Sequence, residues 1–141
     1  MDISRSVRLK APAEEVWALI GPFDSLTKWH TAMLNCTLGV DQGHMVRHLV
    51  VVGGIKVTER LIQHDDAGMV YRYAMSDAGR LPVADFSASL RVSDHGSDGC
   101  AVTWSSSFLV AGAPENVVGE ALGGIFDSGM NSLADRFGLA D

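Results

Sequence analysis

Val46-Arg47-His48-Leu49-Val50-Val51-Val52-Gly53-Gly54-Ile55-Lys56-Val57-Thr58-Glu59-Arg60-Leu61-Ile62 decides the fold. Two β-branched runs flank Gly53-Gly54, and glycine enters the positive-φ conformations of a tight hairpin turn at little cost. With these glycines as the turn, Val52 faces Ile55, Val50 faces Val57, His48 faces Glu59 and Val46 faces Leu61. Side chains alternate along a strand, so all of these share one face. The other face carries Arg47, Leu49, Val51, Lys56, Thr58, Arg60 and Ile62 and is more basic. The first face is expected to point inward. It sets a histidine opposite a glutamate, as the lining of a pocket would.

The 141 residues suffice for a real core, and a single domain spanning 1–141 is expected. A hydrophobic content of 47% with 20% charged residues is that of a globular chain rather than a disordered one. The net charge of −6 is diffuse, which disfavours a nucleic-acid partner, because phosphate binding needs clustered Lys and Arg. Cys36 and Cys100 have no C-x-x-C spacing and read as reduced thiols of a cytoplasmic protein. Met1-Asp2-Ile3-Ser4-Arg5 lacks an apolar signal core, and no apolar run approaches membrane-spanning length, so no stable membrane insertion is expected. No heptad pattern or unusually apolar exposed strand announces an interface, so the sequence assigns no oligomeric state.

Ile3 to Leu9 alternates as a partly exposed first strand. Pro12 suits a helix start, Glu14 and Glu15 suit its positive end, and Gly21-Pro22 ends it. Phe23 to Lys28 is expected as a second short helix, followed by a strand over Asn35 to Val40. After the Gly-Gly hairpin, Asp65-Asp66-Ala67-Gly68 is a turn and Met69 to Met75 a strand. Its parity places Tyr73 near Glu59 on the inward face, with Tyr71 and Met75 alongside. Ser76 to Ala84 reads as a loop. In the next strand Phe86, Ala88, Leu90 and Val92 share a face, and in the last Val102, Trp104, Ser106 and Phe108 do so. Val118, Leu122, Ile125, Gly129, Leu133 and Phe137 recur at three- and four-residue steps, predicting a long C-terminal helix. An antiparallel meander with helices on one side is an α+β arrangement, and ligand sites between such layers are concave and mostly apolar.

The chain resembles the START / birch-pollen-allergen superfamily, in its bacterial polyketide cyclase/dehydrase and lipid-transport branch. The pieces that carry the resemblance are Ala11-Pro12-Ala13-Glu14-Glu15-Val16-Trp17, Phe23 through Trp29-His30, Glu59-Arg60-Leu61, Tyr71-Arg72-Tyr73, Leu81-Pro82-Val83, Val102-Thr103-Trp104-Ser105 and Gly124-Ile125-Phe126 through Gly129-Met130. They run through nearly the whole chain in the right order. Thr31 departs from the pattern, since this branch often has proline there. The resemblance implies a helix-grip fold: a seven-stranded antiparallel sheet around a long C-terminal helix, over a deep cavity for hydrophobic or aromatic molecules. Members include carriers, receptors and cyclases, so the fold does not choose between binding and catalysis.

Glu59 is the leading candidate for chemistry. Facing an apolar cavity, its pKa would rise and make it a general acid or base. The alternative is a glutamate paired with His48, or with an arginine of a neighbouring strand, that only shapes the cavity. His48 would orient Glu59 or simply pair with it, and Tyr73 would donate a hydrogen bond to a ligand oxygen. The expected lining comprises Val46, Val50, Val57 and Leu61 from the hairpin, and Tyr71 and Met75 beside Tyr73. Phe86, Trp104 and Phe108 join from the later strands, and Leu122, Ile125, Phe126 and Gly129 from the long helix. Trp29 would form a wall and His30 the mouth. Leu81 and Pro82 resemble the gate loop of the family's hormone receptors, or else form a plain strand connection. No metal is expected, because His44, His48 and Glu59 do not make a compact ligand set. No cofactor is expected either, since P-loop, Rossmann and nucleophile-elbow motifs are missing. Two readings follow: a binding module for a lipid, isoprenoid or polyketide-like molecule, or an aldol-type cyclase/dehydratase using Glu59. A third is a regulator whose gate loop reports occupancy.

Overall fold

The computed structural model describes residues 1–141. Seven strands are β1 (Asp2–Leu9), β2 (Met33–Asp41), β3 (His44–Val51), β4 (Ile55–Asp65), β5 (Val70–Asp77), β6 (Val83–Asp94) and β7 (Cys100–Val110). The helices are α1 (Ala13–Ile20), the single-turn α2 (Leu26–Trp29) and the long α3 (Glu115–Phe137). The strands form one antiparallel sheet in the order β1-β7-β6-β5-β4-β3-β2. Strands β1 and β2 are therefore the two edges, and α1 and α2 carry the chain across between them. This is the α+β helix-grip arrangement.

Local sequence explains the helix ends. Pro12 and Pro114 hold φ near −62° and −63° in the position before α1 and α3, where a missing N–H costs nothing. Gly138, at φ 79°, closes α3 with its N–H on the Ala134 carbonyl. The α1 face of Ala13, Val16, Trp17 and Ile20 is buried, as are Val118, Leu122, Phe126, Met130 and Leu133 of α3. These faces meet the inward side of the sheet in one core that includes Leu90, Val92, Val102 and Trp104. The outward side is rich in hydroxyls: Ser4 meets Ser105 at 3.0 Å and Ser6 meets Thr103 at 3.2 Å. One dry and one wet face is the usual condition of an antiparallel sheet.

The β3–β4 hairpin departs from the expected register by one residue. Val51, not Val52, pairs with Ile55, and Leu49 pairs with Val57. Gly53 and Gly54 do take positive φ, 93° and 77°, but Val52 joins them as a third loop residue. Its N–H is drawn instead to the Ala32 carbonyl at 2.8 Å. A one-residue slip reverses every side chain of the strand. Arg47, Leu49 and Val51 therefore point inward, and Val46, His48 and Val50 point to the outer face. Strand β4 keeps its expected parity, with Val57 and Glu59 buried and Leu61 half-buried.

Candidate functional site

A small cavity lies between the sheet and α3. Its volume is about 30 Å³, enough for roughly one water molecule. Leu26 of α2, Met33 of β2, Leu49 and Val51 of β3, and Val57 and Glu59 of β4 line one side. Tyr73 and Met75 of β5, Leu81 of the following loop, Phe86 of β6, Trp104 of β7 and Leu122, Ile125 and Phe126 of α3 line the other. The deep cavity implied by the family resemblance is thus mostly filled. Large aromatic groups fill it: Trp104 and Phe126 stack at 4.3 Å between ring centres.

Glu59 is the one charged group on this wall. Register shifts on both sides of it, between Thr58 and Glu59 and between Leu61 and Gln63, re-aim β4 at this point. Between those shifts the ladder is regular, with Glu59 opposite Met75 and Leu61 opposite Tyr73. Tyr73 and Glu59 are therefore diagonal neighbours on one face.

Behind Glu59 stands Arg47, which a two-residue turn would place on the outer face. Its Nε donates to Glu59 Oε1 at 2.7 Å, and neither side chain is more than 6% exposed. Arg47 Nη1 donates to the Phe23 carbonyl at 3.0 Å and to the Tyr71 hydroxyl at 3.1 Å. The guanidinium carbon lies 4.1 Å from the Phe23 ring centre and 4.7 Å from that of Tyr73, a cation–π contact with each ring. Its Nη2 is buried without a hydrogen-bond partner. Burial works against the Arg47 charge, but Tyr71, Glu59 and Tyr73 together hold its pKa above the ordinary value. Burial pushes the Glu59 carboxyl up, and the charge and hydrogen bond of Arg47 pull it only part of the way back.

Trp104 Nε1 donates to the Tyr73 hydroxyl at 2.9 Å. Burial, with the Glu59 charge second, holds the Tyr73 phenol well above its ordinary range, so it stays a protonated donor. The Tyr73 oxygen accepts from Trp104, which leaves its own hydrogen for another partner.

His30 is 2% exposed and does not line the cavity, so it forms no mouth. The Ile125 carbonyl can only accept, so His30 Nε2–H donates to it at 2.7 Å. The Ala32 N–H donates to His30 Nδ1 at 3.1 Å. The two bonds define a neutral ring, and burial lowers the histidine pKa against the opposing effect of the Ile125 bond. Ser132 Oγ bonds the Trp29 carbonyl and Arg136 bonds that of Lys28, so side chains clasp the α2 end to α3.

Of the expected lining, Val57, Met75, Leu81, Phe86, Trp104, Leu122, Ile125 and Phe126 reach the cavity with Glu59 and Tyr73. His48 does not. It is exposed on the outer face and shares a 2.9 Å hydrogen bond with Thr58. Val46 and Val50 lie on that same outer face, through the one-residue register change. Tyr71, Trp29, His30, Phe108 and Gly129 are buried and Leu61 and Pro82 half-buried, and none of them lines the cavity. Leu26, Met33, Leu49 and Val51 were not expected on the wall, while Arg47 is the neighbouring-strand arginine named as one alternative partner of Glu59. The signal for Arg47 was present in the sequence: it is the basic residue that meets Glu59 once the turn has three residues.

The sequence profile described as "Polyketide cyclase / dehydrase and lipid transport" matches residues 1–138. The chain belongs to this family, and through it to the START / birch-pollen-allergen superfamily. Among solved structures it is similar to XoxI from Bacillus cereus, with 28% identity over 96% of this chain and 94% of that one, at a TM-score of 0.88. The Zhui aromatase/cyclase from Streptomyces sp. R1128 shares the fold at 16% identity and a TM-score of 0.73, covering 96% and 92%. A Thalictrum norcoclaurine synthase does so at 18% and 0.71, covering 96% and 92%. None of the curated proteins compared with the chain matches it.

Proposed function

We propose that this protein binds a hydrophobic or aromatic small molecule, lipid, isoprenoid or polyketide-like, between its sheet and α3. One observation carries the reading: an apolar space has on its wall a single buried carboxylate, paired from behind by Arg47, and one free phenol hydrogen. Binding sites are mostly apolar with a few placed polar groups that fix orientation. The space of about 30 Å³ holds roughly one water, so a ring-sized ligand must push the wall outward. Met75, Leu81 and Ile125 are its half-buried members and the ones with room to yield. No helix is long and apolar enough to cross a membrane. Unpaired Cys36 and Cys100 suit a reducing, cytoplasmic setting.

Titration with the neutral fluorophore N-phenyl-1-naphthylamine tests this. Wild-type protein should give a saturable one-site enhancement, Leu122→Ala a tighter one, and Leu122→Trp none. Non-saturating signal, or equal signal from the Trp variant, overturns it.

The second reading is a cyclase/dehydratase with Glu59 as general acid/base. It is favoured by the raised pKa of a carboxyl that faces the cavity. In that case Glu59→Gln abolishes turnover of a polyketide-like substrate and leaves its affinity largely intact. If the variant loses affinity and the wild type shows no turnover, the binding role stands alone.

A further inference from the structure

We infer that the cavity selects a neutral head group that both donates and accepts a hydrogen bond, an alcohol or phenol, and rejects carboxylates. The inference rests on the binding reading above and narrows its ligand class.

The polar part of the wall is made by Glu59 and Tyr73. Glu59 has given Oε1 to Arg47, so the acceptor left for a ligand is Oε2. Tyr73 has accepted the Trp104 Nε1–H, so what it offers is its own hydrogen. The wall therefore presents one acceptor and one donor on diagonal positions of a single sheet face. A hydroxyl head group answers both. A carbonyl alone would answer only Tyr73 and leave the buried carboxylate oxygen without a partner, which is costly in an apolar space.

Charge decides against anions. The cation of the site, Arg47, is not on the cavity wall. It stands behind Glu59, in cation–π contact with Phe23 and Tyr73 and with Nε and Nη1 already engaged. An incoming carboxylate meets the Glu59 carboxylate first, and like charges repel strongly where water is excluded. An ammonium group fares little better, because Glu59 is already paired and its charge already balanced. The site is thus neutral as a whole and dipolar at its surface.

The test is calorimetric titration near neutral pH with 2-naphthol, 2-naphthoate and naphthalene. These share one ring system and differ in head group. Wild-type protein should bind 2-naphthol about tenfold more tightly than either of the others, the size of one well-made hydrogen bond to a charged acceptor. Tyr73→Phe should weaken 2-naphthol by several-fold and leave naphthalene unchanged. Glu59→Gln should narrow the preference for 2-naphthol over 2-naphthoate, because Arg47 then makes the wall electropositive. Equal binding of 2-naphthol and naphthalene overturns the inference, and so does tighter binding of 2-naphthoate, which would mean that Arg47 Nη2 turns into the cavity. If these arms fail while N-phenyl-1-naphthylamine still binds, the binding reading survives alone. If that probe also fails to bind, both fall. The wild-type series decides the matter even if the Glu59 variant does not fold.

Discussion

Arg47 and Glu59 stand directly opposite each other in the β3–β4 ladder, joined at 2.7 Å and shut away from solvent. The pair is thus a pin for the hairpin register, and its acidic member is part of the cavity wall. With a two-residue Gly-Gly turn, Arg47 would lie on the outer face and Glu59 would be buried with no cation beside it. That outcome costs more than admitting Val52 into the loop, because an unpaired buried charge is strongly unfavourable.

The pair should be expensive to break and cheap to replace. Burial disfavours both charges, and each is offset in part by the other, so removing one partner leaves the other's desolvation uncompensated. Glu59→Leu alone should lower the unfolding free energy by about 3–5 kcal/mol, because Arg47 is then left buried and unpaired. The double variant Arg47→Met with Glu59→Leu should recover most of that loss. Urea denaturation of the single and double variants measures it, and a double variant no more stable than the single one contradicts the argument.

His30 should give the protein an acid-sensitive limb. Its folded pKa is lowered by burial, below that of the unfolded chain. The stability it contributes is therefore complete above the unfolded value of about 6.5 and is lost as pH falls from there through the folded value. Protonation would set an N–H at Nδ1 against the Ala32 N–H that now donates to it. His30→Gln keeps a donor for the Ile125 carbonyl and removes the titration. The variant should be less stable at neutral pH, yet lose less than wild type between about pH 7.5 and 5.5. Urea midpoints at the two pH values decide it; parallel losses would count against a role for His30.

The alternation of Phe86, Ala88, Leu90 and Val92 was plain in the sequence, and all of them are buried. So was the inward face of β4, because Val57 and Glu59 keep their parity whichever turn precedes them. The facing strand was not readable in the same way. Gly-Gly fits a two-residue turn and a three-residue one, and the three-residue turn is favoured by the Arg47–Glu59 pair together with a backbone bond from Val52 to Ala32, remote in sequence from the hairpin. Arginine composition then misled, since a buried arginine is rare unless paired. Leu26 and Met33 come from a single-turn helix and an irregular edge strand, where no periodicity marks an inward side. The volume of the cavity depends on how Trp104, Phe126 and Phe86 interlock, which no local pattern encodes.

The hairpin turn should resist substitution at its second glycine through backbone conformation alone. Gly54 has open space around it, so only its φ of 77° opposes substitution. Gly54→Ala should therefore cost about 1–2 kcal/mol, the penalty of a left-handed residue with a Cβ. Gly54→Asn should cost less, because asparagine tolerates that region. Thermal unfolding of the pair separates backbone strain from crowding; equal losses would mean that something other than φ is at work.

Two glycines of α3 should respond in opposite directions. At Gly124 a Cβ would meet nothing within 4 Å, and the residue is exposed in mid-helix. Gly124→Ala should stabilise the protein by up to about 1 kcal/mol, since alanine loses less backbone freedom in a helix. At Gly129 a Cβ would sit 2.9 Å from His30 Cδ2 and 3.1 Å from a Trp104 ring carbon. Both rings are buried and packed against each other edge to face, 5.7 Å between centres, so neither has room to give. Gly129→Ala should therefore destabilise by about 1–3 kcal/mol, as overpacking does. It should also disturb the ligand site, because Trp104 carries the indole that orients Tyr73. Denaturation midpoints of the two variants, read with naphthol titrations, test both halves. A stabilised Gly129→Ala would show that α3 shifts freely over His30, and the clasp between α2 and α3 would then not hold the cavity wall in place.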